Sequence, residues 1–226
     1  MKKLIVTRAD NKIQNWIDIT HPLLKKYAEK CNADFKVISN DTQDNSRAYA
    51  IFQLHDLFDN YDRILQIDTD TIIMKRCPDI FKLVPEDMIG TIYEDVGSRK
   101  NHRQDLIKKI QSERVDVNWT SGYINTGVFV LSKEHKEILN PNGKLWKGFG
   151  FDDVEIAYRI HKLGFEIFEL DFKFNHMSMF SEQWNSFHSR FDSNLIHYAG
   201  NGFSNIIDRF KLMKSDYNIL KRYNMI

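Results

Sequence analysis

The 226-residue chain has only two cysteines, Cys31 and Cys77. That rules out a disulfide framework and, without a cluster of other ligands, a zinc cage. Free buried thiols in a reducing compartment are the expected state. The chain also lacks an excess of either charge: 32 Lys and Arg against 31 Asp and Glu give a net +1 at pH 7. There is no bulk positive field to hold a nucleic-acid backbone, so DNA and RNA binding are disfavoured. Long apolar runs are missing as well. The opening Met1-Lys2-Lys3-Leu4-Ile5-Val6-Thr7-Arg8 has three apolar residues after its basic pair, short of the roughly 7 to 15 of a signal-peptide core. No segment approaches the roughly 18 apolar residues of a membrane span. A cytoplasmic protein without a transmembrane segment is expected, and there is no internal repeat, low-complexity tract or interdomain linker.

What is present is ordinary globular composition, 42% hydrophobic and 28% charged, with an aromatic content of 13% that exceeds what a core alone requires. The length suits one α/β domain over 1–226. Apolar runs predict strands near 4–7, 35–38, 64–67, 72–74, 88–93, 123–131, 165–170 and 195–198. Helical spacing predicts helices near 15–31, from Ser46 through Phe58, and near 105–112, 133–139, 153–163 and 206–221, with Pro22 marking a start or kink. Strands alternate with helices in the first half, which argues for a mostly parallel sheet flanked by helices. Segments 94–103 and 180–193 have weak periodicity and read as loops over a site.

The most informative stretch is Tyr61-Asp62-Arg63-Ile64-Leu65-Gln66-Ile67-Asp68-Thr69-Asp70. Two carboxylates one residue apart follow an apolar strand, and positions i and i+2 in extended or turn geometry project to one side, where they can grip one cation. The carboxyl edge of an α/β strand is also where ligands bind. Burying both acids without a cation costs several kcal/mol, about the penalty of uncompensated buried charge. The plain alternative is a solvated Asp-rich turn. Asp152-Asp153 opens a helix, where an acid caps the end or favours the first turn.

Together with the later run Tyr123-Ile124-Asn125-Thr126-Gly127-Val128, the Asp-x-Asp segment resembles the GT-A glycosyltransferases, particularly glycosyltransferase family 8. The ordered motifs extend from Ile5 to about Phe203. The resemblance implies a Rossmann-like GT-A fold with a nucleotide-binding half over about 1–75 and an acceptor half over about 76–226. It implies a metal-dependent, retaining transfer of sugar from a nucleotide-diphosphate donor, a UDP-sugar, to a hydroxyl of a glycan or other acceptor. Asp68, Asp70 and His197 would hold the metal. A carboxylate and imidazole set suits Mn²⁺ better than Mg²⁺.

Further roles follow from the same resemblance. Thr69 would touch the donor ribose; Thr7 and Asp10 belong to the nucleobase loop, with Asp10 accepting from the uracil N–H. Arg47 stands one helical turn before Ile51, in a helix where the family keeps a phosphate-binding cation. Gly200 and Gly202 would let backbone N–H groups approach the phosphates. In His197-Tyr198-Ala199-Gly200-Asn201-Gly202-Phe203, however, Phe203 stands where the family has lysine. Asp152 and Asp153 are the catalytic candidates, with Asp152 read as the helix cap and Asp153 as facing the sugar. Asn125, Asn175, His176, Trp119 and Trp184 are acceptor-side candidates, the tryptophans by stacking on sugar faces.

Two other readings compete. An apolar strand ending in Asp-x-Asp is also the nucleophile motif of haloacid-dehalogenase-like phosphatases, in which Asp68 would be the covalent nucleophile and Asp70 the acid/base. The missing lysine motivates a non-catalytic sugar-nucleotide-binding protein.

Overall fold

The computed structural model describes residues 1–39, 47–182, 186–199 and 208–226, apart from the side chain of Arg47. Strands are β1 (Lys3–Ala9), β2 (Asp34–Ser39), β3 (Arg63–Ile67), β4 (Thr71–Ile73), β5 (Ile89–Tyr93), β6 (Ile124–Ser132), β7 (Ile167–Glu169) and β8 (Leu195–His197). Helices are α1 (Gln14–Lys30), α2 (Leu54–Leu57), α3 (Ile80–Leu83), α4 (Lys100–Glu113), α5 (Phe151–Leu163) and α6 (Arg209–Arg222).

Six strands form one sheet in the order β2-β1-β3-β6-β5-β7. β1 pairs parallel with β2 and β3, β5 pairs parallel with β7, and only β6 runs against its neighbours β3 and β5. The sheet is therefore mostly parallel, with one reversed strand near its centre. Both faces are covered, which is why β3 and β6 are buried along their whole length. Alternation divides the core in two. Ile5, Leu65, Ile67, Val128 and Val130 pack toward α1 and α6, whereas Leu4, Val6, Ile64, Phe129 and Leu131 pack toward α2, α4 and α5.

Three expectations need correction. Segment 94–103 is not a plain loop: a 3-10 turn at Gly97–Arg99 leads directly into α4, which starts at Lys100. Its helical face is hidden from a periodicity count because Arg103 occupies a buried position beside Leu106, Ile107 and Ile110. The helices read from Ser46 and over 133–139 are largely 3-10, at Arg47–Gln53 and Lys133–Leu139. Pro22 lies inside α1, neither starting nor ending it. No described helix is long and apolar enough to cross a membrane, and both cysteines are free and buried.

One edge of the sheet collects the chemistry. The carboxyl ends of β1, β3 and β5 meet the amino end of the reversed β6 there, because Ile67 pairs with Val128 and Tyr93 with Ile124. Across that edge, the separate two-stranded sheet of β4 and β8 places Thr71 beside His197.

Candidate metal and donor site

The turn Asp68-Thr69-Asp70 joins β3 to β4 and is fixed from several sides. Asp68 N–H donates to the Gly127 carbonyl at 2.9 Å, and the Thr71 hydroxyl donates to the Asp68 carbonyl at 2.8 Å. Thr69 is buried; its hydroxyl donates to the Arg8 carbonyl at 2.7 Å and lies 2.8 Å from the Thr7 hydroxyl. The turn therefore holds its two carboxylates in place before any ligand arrives.

His197 reaches the turn through β8. Tyr198 N–H donates to the Asp70 carbonyl at 2.9 Å, and His197 Nε2 lies 3.2 Å from Asp70 Oδ1 and 3.8 Å from Asp68 Oδ2. One ligand atom from each of the three residues falls within 4.8 Å of the others, a grouping that can hold a metal ion. The other ring nitrogen, Nδ1, lies 2.7 Å from Asn175 Oδ1. An amide oxygen can only accept, so Nδ1 carries the hydrogen and Nε2 is the nitrogen turned toward Asp68 and Asp70. Asn175 is steered in turn: its Nδ2 donates to Asn125 Oδ1 at 2.9 Å, and Asn125 Nδ2 donates to Glu94 Oε2 at 3.2 Å. Gly127 makes room for this arrangement, since a Cβ there would lie 2.4 Å from His197 Cε1 and 2.8 Å from Nδ1.

A cation of the chain itself also enters the site. Arg8, at the end of β1, donates through Nη2 to Asp68 Oδ1 at 2.7 Å and through Nη1 to Asp152 Oδ2 at 3.0 Å and the Ala48 carbonyl at 2.8 Å. Burial works against its charge, but Asp68 and Asp152 outweigh burial and hold the guanidinium more firmly protonated than usual. Asp68 shows the reciprocal balance: burial opposes ionisation, yet Arg8 and His197 keep its carboxyl below the usual range.

Asp152 and Asp153 stand in the first turn of α5, which Gly150 opens in a left-handed conformation with φ 85°. Neither carboxylate caps the helix, contrary to the reading of Asp152 as the cap. Thr126 takes both instead. Its hydroxyl lies 3.1 Å from Asp152 Oδ2 and 2.9 Å from Asp153 Oδ1, and its N–H donates to Asp153 Oδ1 at 2.8 Å. Burial, Asp152 and Glu94 push the Asp153 carboxyl well above the ordinary range. Asp152 is also raised, by burial and then Asp68, although Arg8 counteracts both.

Two cavities meet at this cluster, and Arg8, Asp68, Asp70 and Asp152 line both. The smaller, about 300 Å³, continues along Ile13, Trp16, Ala48, Thr69 and Arg209. The larger, about 590 Å³, runs past Glu94, Arg99, Arg103, Tyr123, Asn125, Asp153 and the exposed rings of Phe149 and Phe151.

Several sequence-derived site residues occupy other positions. Thr7 is fully buried and braces Thr69. The Asp10 carboxylate accepts from Lys12 N–H at 2.9 Å and caps a 3-10 turn. Trp119 is buried in the core, stacked on His161 at 5.2 Å, with no face for a sugar. Asn175 and His176 are also buried: Asn175 positions His197, while His176 sits between the hydroxyls of Ser193 and Ser181 at 2.6 and 3.0 Å. Of the acceptor-side candidates, Asn125 alone reaches the larger cavity among the described residues. Trp184, Gly200, Gly202 and Phe203, and the side chain of Arg47, lie outside the described residues. Sequence reasoning passed over Arg8, Glu94, Arg103 and Arg209. A charged residue ending an apolar strand was the available signal for Arg8; Arg209, far along the chain, left none.

No protein-family model matches the chain, and no curated protein sequence does. Its fold, however, matches solved structures across nearly all of its length. One is a glycosyltransferase involved in the glycosylation of the major capsid of PBCV-1, at 15% identity, 95% of this chain and 100% of that one, with a TM-score of 0.61. A second is the galactosyltransferase LgtC in complex with donor and acceptor sugar analogs, at 12% identity, 94% and 95% coverage and a TM-score of 0.56. A third is a Drosophila β1,4-galactosyltransferase 7 variant in complex with manganese, UDP-Gal and xylobiose, at 10% identity, 95% and 80% coverage and a TM-score of 0.51. Mostly parallel strands, a reversed strand beside the Asp-x-Asp turn and these likenesses agree: the chain has the fold of the GT-A glycosyltransferases.

Proposed function

We propose that the protein is a metal-dependent glycosyltransferase that moves a sugar from a nucleotide-diphosphate donor, a UDP-sugar, to a hydroxyl of a glycan or other acceptor. The observation that carries this is the convergence of Asp68, Asp70 and His197 where the two cavities meet. Two carboxylate oxygens and an imidazole nitrogen fit a divalent ion, and the mixed donor set favours Mn²⁺ over Mg²⁺. When bound, that ion neutralises charge developing on the diphosphate leaving group. The smaller cavity, with Trp16 and Ile13 on its wall, suits the nucleotide; the larger, with exposed Phe149 and Phe151, suits sugars, whose C–H faces stack on aromatic rings.

In the reaction the anomeric C–O bond to the diphosphate would break, an acceptor oxygen would bond to the anomeric carbon, and the acceptor proton would pass to an oxygen of the departing nucleoside diphosphate. Asp152 and Asp153 touch the larger cavity and would bind sugar hydroxyls. Arg8 and Thr126 engage Asp152, and Thr126 engages Asp153 through both its N–H and its hydroxyl. The retaining outcome is the one the resemblance to family 8 implies. The unit would span 1–226 with its donor half over about 1–75, and two free buried thiols favour a cytoplasmic setting.

The phosphatase alternative fares worse on geometry. Asp68 Oδ1 accepts from both Arg8 and Gln66 at 2.7 Å, and Oδ2 faces His197, so neither oxygen is aimed at a phosphorus atom. The test is incubation with Mn²⁺ and a panel of nucleotide sugars. We expect slow hydrolysis of one donor, lost in Asp70→Ala, and an NMR product spectrum that reports the anomeric configuration. Binding without turnover on any acceptor would point to a non-catalytic binder, and hydrolysis of simple phosphomonoesters to the phosphatase.

A further inference from the structure

Arg209 opens α6 and forms part of the wall of the smaller cavity. Its Nη1 donates to Asp70 Oδ2 at 3.1 Å and to the Tyr198 carbonyl at 2.7 Å. Its guanidinium carbon lies 5.6 Å from the centre of the Trp16 ring, which leans on Phe210 at 5.3 Å. The head group is thus oriented, yet the side chain is 38% exposed. Among the described residues, Nε and Nη2 have no hydrogen-bond partner.

Charge bookkeeping at the cavity shows what this arrangement can do. Asp70 divides its oxygens: Oδ1 faces His197 and Oδ2 faces Arg209. A divalent ion on Asp68, Asp70 and His197 is already balanced by two carboxylates, so the charge of an arriving diphosphate needs another cation. Arg8, the other basic residue on this wall among the described residues, is committed to Asp68, Asp152 and Ala48. The amino end of α6 is no substitute, because Asp208 accepts from the N–H groups of Phe210 and Lys211. Arg209 has a fork of donors still open, beside the metal ligands and on the cavity side.

We propose that Arg209 is the diphosphate clamp of this protein: Nη1 stays on Asp70 while Nε and Nη2 hold a phosphate oxygen of the donor. The guanidinium fork suits such an oxygen pair, and the pairing is charge-assisted. The clamp supplies, from the helix that follows, the positive charge absent at Phe203. This inference rests on the nucleotide-sugar reading of the site and adds to it a means of choosing diphosphates over monophosphates.

Calorimetric titration with UDP, GDP and the matching monophosphates in Mn²⁺, on the full chain, tests it. For the diphosphate that the wild type binds best, Arg209→Ala should weaken affinity by roughly ten- to hundred-fold, the loss of one or two charge-assisted hydrogen bonds. The matching monophosphate should change by less than about threefold, Arg209→Lys should recover part of the loss, and Mn²⁺ affinity without nucleotide should not fall. Because Arg209 is partly exposed, near-UV circular dichroism should show an intact fold in both variants. Equal losses for diphosphate and monophosphate, or an unchanged diphosphate affinity, would overturn the clamp. If the wild type itself binds neither diphosphate, the nucleotide-sugar reading fails along with it, an outcome distinct from a wild type that binds and a variant that matches it.

Discussion

Asn175 Oδ1 lies 2.7 Å from His197 Nδ1, so a fully buried amide sets which nitrogen of the imidazole faces Asp68 and Asp70. The pair connects a 3-10 turn (Phe172–Phe174), which Asn175 caps, to the end of β8. Behind Asn175 the chain of amides continues through Asn125 to Glu94, whose carboxylate also pairs with Arg103.

Replacing Asn175 with alanine removes the acceptor that orients His197. Partners of this kind are worth about 10- to 100-fold in metal affinity, and Mn²⁺ titration should read a loss in that range for Asn175→Ala. A change of less than about threefold would show that the ring is held by packing alone.

Gly127→Ala tests the same nitrogen from the other side. The added methyl would lie within 2.4 Å of His197 Cε1 and 2.8 Å of Asn125 Oδ1, both buried, so the ring must move. Mn²⁺ affinity should drop at least about tenfold, in the range for a displaced ligand. Unaltered Mn²⁺ binding by Gly127→Ala would mean that His197 has slack the geometry does not show.

Arg8→Met leaves Asp68 and Asp152 without the cation that bridges them. Breaking a buried pair costs about 3 kcal/mol, or roughly 10 °C in Tm for a domain of this size. Saturating Mn²⁺ should restore part of the loss by binding Asp68, whereas Mg²⁺-free, EDTA-treated protein should show all of it. Thermal melts with and without the ion decide.

His176 supplies a pH dependence of stability. Burial, then Arg190 and His188, lowers its pKa to about 4. A group neutral in the fold but protonated in the unfolded chain contributes stability above about pH 6.5, and that stability is lost as pH falls from there toward 4. The full swing is on the order of 3 kcal/mol. Urea unfolding of wild type and His176→Gln between pH 7.5 and about 4 should show the difference between them shrinking by that order as pH falls. A constant difference would refute the assignment.

Much of this architecture is legible in the amino-acid sequence. The apolar runs mark all eight strands among the described residues, and the Asp-x-Asp pair beyond the third marks the turn whose acids group with His197, because buried strands and paired acids leave local signatures. The acceptor-side residues were read less well. Trp119 stands in a polar stretch of sequence and His176 is itself polar, yet both are buried, since Trp119 stacks on His161 and serine hydroxyls satisfy His176. A local window cannot see which residues the fold turns back onto a side chain, whether Ser181 and Ser193 on His176 or the more distant His161 on Trp119.

The sequence by itself determined the alternation of strands and helices and the two carboxylates one residue apart, and the family resemblance pointed to His197 as their companion. Tertiary structure decided how they are used. Reversal of β6 brings Gly127 against Asp68, pairing of β4 with β8 carries His197 across the intervening chain to Thr71, and Arg8 and Arg209 arrive from opposite ends of the protein to share the acids. Backbone periodicity is a local property that short stretches encode, whereas the balance of buried charge depends on which distant groups the fold brings within about 4 Å of one another.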